Sequence, residues 1–414
     1  MGTVIHKSKI YQWLFVLCVV IPYFDNFELT IAVWTLATLF SLQKTYSIGI
    51  IRQVACFTTI LGLALLVSCF KNHQLYFVIR DVTYMIKPIL GLLIGYQLCK
   101  KIKTNIFELI VRTGFIFSLV HYFFVLKAVI FFKVLDINGL RYYGGYFSDF
   151  EVFALVIILF HKRFEIAIAP QRRIIYILAI GASVALYLAR TNFIEFALLL
   201  MGLKGFLEIN RRNMTVLAVL VALTIIGYST ILMINPKRNG PGLEAFLYKI
   251  KIIPQEAFKT KVNIANWRDL NDNYRSYENI MTVKQVTHNG AGAVAFGEGM
   301  GSKVDLKQSM MLGDMELRFI SILHNGYMTV FLKSGLVGIL FLLLSFGIYF
   351  RKSRSEIPIV KQIDLLFIGT GVFMIMSYWV FMGFYFKADN KSILVGMLLC
   401  IREIIIKSKA RQND

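Results

Sequence analysis

Apolar runs of roughly 20 residues recur along the whole chain, and no other feature of the sequence restricts the fold as strongly. As a helix, each is long enough to cross a hydrocarbon core of about 30 Å. Twelve runs fall at about 10–24, 27–42, 53–70, 82–99, 105–132, 144–160, 174–189, 191–206, 214–234, 323–350, 362–386 and 392–406. Hydrophobic residues make up 57% of the chain, which excludes an ordinary soluble globule. The expected fold class is an all-α polytopic membrane protein with about 12 transmembrane helices. The runs flanking Arg190 are short, and such a pair fits a re-entrant hairpin as well as two full spans.

The net charge of +21 would point to nucleic acid in a soluble chain. Its placement points to topology instead. With a cytoplasmic N-terminus, segments 1–9, 43–52, 100–104, 161–173, 207–213, 351–361 and 402–414 lie inside and hold 21 Lys and Arg. The short outside loops at 25–26, 71–81, 133–143, 190 and 387–391 hold 7. This excess follows the positive-inside rule and places both termini in the cytoplasm, with no nucleic-acid partner. The first run has no small-residue cleavage site and reads as a retained span rather than a signal peptide. The 5 cysteines lie in or at the ends of apolar runs without paired spacing, so neither a disulfide framework nor a zinc site is indicated.

The layout divides into helices 1–9 over residues 1–234, a large external loop at 235–322 between spans 9 and 10, and helices 10–12 with a cytoplasmic tail over 323–414. Within the loop, Leu243–Ile253 and Asp272–Val286 are expected to be short helices, and Pro236, Pro241 and Pro254 interrupt its first part. Many twelve-span transporters divide six plus six with symmetry between the halves, and this chain does not.

His324 and Asn325 close the loop and open the tenth run. A histidine there fits a helix cap or interfacial residue; it equally fits a general base able to accept a hydroxyl proton near neutral pH. Asn325 is placed to orient the ring or a substrate hydroxyl, and Gly326, Gly335 and Gly338 permit close approach of helices or ligand. Arg190 reads as a snorkelling arginine, a partner of Glu195, or a bidentate clamp on phosphate. Arg141, in a turn rich in glycine and aromatics, Arg275 in the loop and Arg318, six residues before His324, are further anion-binding candidates beside ordinary structural or solvated readings. Lys87 lies inside a span, where a charge faces a bundle interior or an aqueous cavity. Glu298, Asp305, Asp314 and Glu316 are candidate nucleophiles for a retaining transfer. No tight acidic cluster marks a metal; Asp269 and Asp272 stand alone. Gly297–Gly301 superficially fits a phosphate loop, but without a βαβ setting it reads as a turn near the membrane.

Four segments together resemble the O-antigen ligase and polymerase superfamily of bacterial envelope enzymes. Arg141 to Phe153 is similar to an Arg-x-x-Gly turn before a span, with Asp149-Phe150-Glu151 in place of the usual Pro-Asn. Ala189-Arg190-Thr191 is similar to a Ser-Arg step, with Ala189 replacing the serine. Phe296–Gly301 looks like a glycine stretch late in the loop, and His324-Asn325-Gly326-Tyr327 like a His-Asn signature with glycines downstream.

The resemblance implies a glycosyltransferase that moves a glycan from a polyprenyl-pyrophosphate donor onto an acceptor hydroxyl at the outer face of the bacterial inner membrane. His324 would be the base. Arg190 and Arg275 would bind the donor pyrophosphate, with Arg141 and Arg318 as further candidates. No cofactor or metal is implied, and a single displacement would invert the anomeric carbon. Partners would be the lipid-linked oligosaccharide donor, a glycan or lipid-linked acceptor, membrane lipid and a chain-length regulator. A surface-polysaccharide polymerase is the favoured reading and a ligase onto lipid A-core the alternative. A flippase or exporter of lipid-linked oligosaccharide is the rival from another class; it needs no base at position 324.

Overall fold

Every one of the twelve apolar runs coincides with a helix. The computed structural model describes residues 2–208, 210–238, 240–241, 243–252, 254, 259–312, 315–353 and 355–413. Asp314 and Ile253 lie outside the described residues. The helices are α1 (Gly2–Val20), α2 (Phe27–Phe40), α3 (Ile48–Ser68), α4 (Leu75–Lys101), α5 (Ile106–Phe132), α6 (Ile137–Gly144), α7 (Asp149–Leu159), α8 (Pro170–Leu186), α9 (Arg190–Leu203), α10 (Arg211–Ile234), α11 (Leu243–Lys251), α12 (Trp267–Asp272), α13 (Tyr274–His288), α14 (Ala291–Phe296), α15 (Gly326–Phe346), α16 (Pro358–Phe381) and α17 (Lys391–Asn413). About 73% of the chain is helical. Among the described residues five helices, α3, α5, α10, α15 and α16, are long and apolar enough to cross a membrane. This composition is compatible with an all-α, multi-pass membrane protein.

Helix starts follow local chemistry. Asn26, Ser47, Asn105, Asp136, Ser148 and Asn210 each turn a side-chain oxygen to the first free N–H groups of the helix that follows. Pro170 and Pro358 open α8 and α16, where the missing N–H costs nothing. Helix α4 carries Arg80, Asp81 and Lys87 within its length. It folds into the core because Asp81 and Lys87 are fully buried against partners.

The main helix pair is α4 with α17. A Cβ on Gly95 would lie 1.9 Å from the Ile393 carbonyl oxygen, so only glycine allows this backbone approach. Gly91 faces Ser392, and Tyr96 Oη donates to Glu403 at 3.3 Å, so the two helices run parallel. Helices α9 and α16 run antiparallel, with Gly202 against Leu365 and Gly369, and Gly369 against Leu198 and Leu199.

Polar contacts collect the connecting segments at two ends. At one, the Lys103 N–H donates to Ser8 Oγ at 3.0 Å, Ser47 donates to Glu403 at 2.6 Å, Arg163 donates to the Leu203 carbonyl at 2.8 Å and Lys352 pairs with Glu208 at 2.6 Å. At the other, Tyr23 donates to the Gly144 carbonyl at 2.5 Å, Lys387 pairs with Asp25 at 3.0 Å and Lys391 pairs with Asp149 at 2.5 Å. His324 belongs to this second end, since Gly326 packs on Met382 and Tyr378.

The large loop carries the helix expected at Asp272–Val286 as α13, with the short α12 before it across Asn273. It also carries an antiparallel hairpin, β1 (Val304–Leu312) and β2 (Met315–Ile320), with Val304 opposite Ile320 and a bulge between Asp305 and Met310. The sequence Val304-Asp305-Leu306-Lys307 alternates apolar with charged, a strand period that buries Val304 and Leu306. The Tyr277 hydroxyl on α13 donates to the Leu306 carbonyl and fixes the hairpin to that helix.

Candidate functional site

His324 sits just before α15, and Asn325 is that helix's N-cap. The Asn325 Oδ1 accepts from the N–H groups of Tyr327 and Met328 at 2.9 and 3.2 Å. The capping task therefore falls to Asn325, and the ring of His324 is left for something else. Asn325 is buried, and its Nδ2 has no hydrogen-bond partner among the described residues.

That ring meets Glu278, a residue absent from the sequence-based candidates. His324 Nδ1 lies 3.0 and 3.1 Å from the two Glu278 carboxylate oxygens, and the His324 N–H donates to Glu278 Oε2 at 3.1 Å. Glu278 is fully buried on α13, whereas the His324 side chain is 46% exposed. The carboxylate accepts, so Nδ1 carries the hydrogen and Nε2 is the acceptor nitrogen. Tyr274, one turn before Glu278, sets its ring edge on the imidazole at 5.8 Å. Burial first, and then the Glu278 charge, push the Tyr274 phenol far above its usual range.

The arginines divide. Arg275 lies on α13 with its guanidinium 5.1 Å from the Phe381 ring. Phe381 meets Phe147 at 4.9 Å, and Phe147 stacks on Phe386 at 4.8 Å. Phe381 thus stands between Arg275 and Phe147, in the turn that follows Arg141. Arg141 is half-buried on α6, over the Tyr146 ring at 5.7 Å; burial lowers its pKa from the usual guanidinium value. Arg190 is the first residue of α9 and half-buried. Two residues on, Asn192 Oδ1 accepts the Ser148 N–H at 3.3 Å, so α9 begins against the same turn. Arg190, Arg141 and Arg275 thus lie on three separate segments at the His324 end.

Arg318 does not join them. On β2 it turns Nε and a terminal nitrogen to Asp305 at 2.9 and 3.1 Å. That fork holds the Asp305 carboxyl well below the usual carboxylate range. Of the acidic candidates, Glu298 is buried, taking Gln285 at 2.8 Å and Asn289 at 2.7 Å. Glu316 is exposed on β2. Neither has the setting of a nucleophile.

The glycine stretch at 297–301 is a structural crossing. Glu298 N–H donates to the Leu332 carbonyl at 2.8 Å, Gly299 N–H to Lys333 at 3.1 Å, Met300 N–H to Ala64 at 3.3 Å and Gly301 N–H to Asp81 at 2.7 Å. Its donors are already committed and cannot also cradle phosphate. Lys333, fully buried, donates to Asp81 at 2.6 Å and to the Ser302 carbonyl at 2.6 Å, tying α15 to α4 beneath the site.

Lys87 spends its ammonium on the carbonyls of Phe386 and Lys387 at 2.7 and 2.5 Å. Among the described residues no group of three or more His, Cys, Asp or Glu could hold a metal. An apolar cavity of about 400 Å³, lined by Thr38, Tyr46, Ile50, Val54 and Gln97, lies at the opposite end and carries no acid or base.

No family model, curated protein or solved structure matches this chain. The likeness read from four segments therefore rests on those segments alone.

Proposed function

We propose that this chain is a membrane glycosyltransferase that moves a polyprenyl-pyrophosphate-linked glycan onto an acceptor hydroxyl. The observation that carries the reading is the Glu278–His324 pair: a buried carboxylate holds Nδ1 of a side chain that is 46% exposed, and Nε2 is left to take a proton. Such a base contributes about 10²–10⁴-fold to a transfer. Arg190, Arg275 and Arg141 would neutralise charge growing on the leaving pyrophosphate in a low-dielectric cleft. No nucleotide is needed, because the donor already carries its leaving group.

The favoured product is a surface polysaccharide extended by a polymerase; transfer to lipid A-core by a ligase is the alternative. The setting is the bacterial inner membrane, with twelve spans, both termini cytoplasmic and His324 outside. The parallel packing of α4 on α17, the antiparallel packing of α9 on α16 and the gathering of the basic segments at the end away from His324 support that topology. A flippase is the weaker reading, since it needs no base at position 324.

The test is complementation of a deletion strain with His324→Ala, scored by polysaccharide on a gel. Loss of polymer with the membrane level of protein unchanged is expected. Core bearing a single repeat unit indicates a polymerase, and bare core with long chains left on the carrier indicates a ligase. Full polymer from His324→Ala sinks the general-base assignment.

A further inference from the structure

Beside the start of α4, cations outnumber their partners. The Arg80 guanidinium donates to Ser321 Oγ, while its Nε is buried without a hydrogen-bond partner among the described residues. Asp81 lies 3.8 Å away through Oδ1, but its Oδ2 is already taken by Lys333 and the Gly301 N–H. Lys303 Nζ stands 3.3 Å from the centroid of the Phe77 ring, which also meets Arg80 at 4.9 Å. Among the described residues Lys303 forms no ion pair, and Asp305, two residues on, is occupied by Lys307 and Arg318. Burial first, then the charge of Arg80, lower the Lys303 ammonium from its usual range. Two like charges on one ring repel unless an anion lies between them.

The surroundings are apolar. Phe70, Leu75, Tyr76 and Ile79 are 82%, 71%, 70% and 55% exposed. Exposed aromatic and aliphatic side chains next to cations match a membrane–water interface. An anion with hydrocarbon attached satisfies both halves of this surface; a free ion satisfies one.

We propose that Arg80 and Lys303 bind the phosphate of an anionic phospholipid headgroup, with Phe70, Leu75, Tyr76 and Ile79 in the interfacial zone around it. The Arg80 side chain is 34% exposed, so its terminal N–H groups give the phosphate directed donors, and Lys303 adds a point charge. Ser321, which Arg80 contacts, lies three residues before His324, so the site is read by binding rather than by activity.

The experiment places the full chain in phosphatidylcholine nanodiscs with a minor fraction of phosphatidylglycerol. Native mass spectrometry then counts retained lipid. Wild type should hold phosphatidylglycerol in preference to phosphatidylcholine. Arg80→Gln and Lys303→Gln should each weaken that preference by about fivefold, with a larger loss in the double variant. Lys303→Gln removes no side-chain hydrogen bond, so it keeps the test sound if Arg80→Gln misfolds. Equal retention by wild type and Lys303→Gln overturns the proposal. Displacement by inorganic phosphate overturns it in favour of a soluble anion, and displacement by trace polyprenyl pyrophosphate overturns it in favour of the lipid carrier.

Discussion

A histidine has two ring nitrogens, and which one is occupied decides whether it can serve as a base. At His324 the choice is made by Glu278, which takes Nδ1 and the backbone N–H of the same residue. Replacing Glu278 by Gln keeps the shape but puts a neutral amide in place of the carboxylate that holds Nδ1. The expected result is a fall in kcat of about 10²–10⁴-fold with KM for the donor unchanged, and partial recovery in Glu278→Asp. An unchanged kcat with an unchanged melting temperature would remove Glu278 from the mechanism. His324 and Asn325 were legible in the sequence because they stand where a polar loop meets an apolar run. Glu278 was not, since 46 residues separate it from His324 and only the folded loop joins them. A signal was present all the same: Tyr274, Tyr277 and Met281 form a buried stripe on α13, and Glu278 lies within it. A lone carboxylate on an apolar face needs a partner.

Helix α15 carries a break that its composition hides. Residues 323–350 read as one continuous apolar run, yet Gly335 has φ +64° and divides the helix. A Cβ at Gly335 would stand 2.4 Å from backbone atoms of Ala295, so two constraints fall on the same residue. The break lets α15 take the 297–301 crossing against its own backbone, which sets the height of His324 over α13. Gly335→Ala is expected to lower the melting temperature by several degrees and to cut activity with it. Gly62→Ala on α3 has nothing within 4 Å of the new Cβ and should be neutral or slightly stabilising. Equal melting temperatures for the two variants would argue against a required break. The hairpin is a similar case: its alternation spans only a few residues, and the buried face exists only once α13 is beside it. Apolar periodicity exposes long helices well and short strands or broken helices poorly, because their conformation is set by neighbours distant in the chain.

Across the whole molecule, hydropathy located the helices, while their side of the membrane rests on charge and on parity. If all twelve cross, α4 and α17 are separated by an even number of passes and must run parallel, and α9 and α16 by an odd number and must run antiparallel. Both relations are present. A re-entrant α8–α9 pair would leave the direction of α4 and α17 unchanged, so parity alone does not exclude it. The start of α9 against Ser148 at the His324 end favours full passage. Helix α10 fits the same frame: it has no buried residue, and an apolar helix with no packed face is stable only with lipid around it. The native cysteines allow a direct test. Cys69 is exposed beside the His324 end, whereas Cys18, Cys99 and Cys400 are buried. In a chain with Cys69 as its sole cysteine, an impermeant maleimide should label spheroplasts without permeabilisation. With Cys69 also replaced and Glu356→Cys introduced in the exposed segment before α16, labelling should require permeabilisation. Label on position 356 in sealed spheroplasts, with Cys69 silent until lysis, would invert the topology. It would put His324 on the face where nucleotide-sugar donors are made, and the lipid-pyrophosphate donor would lose its physical reason.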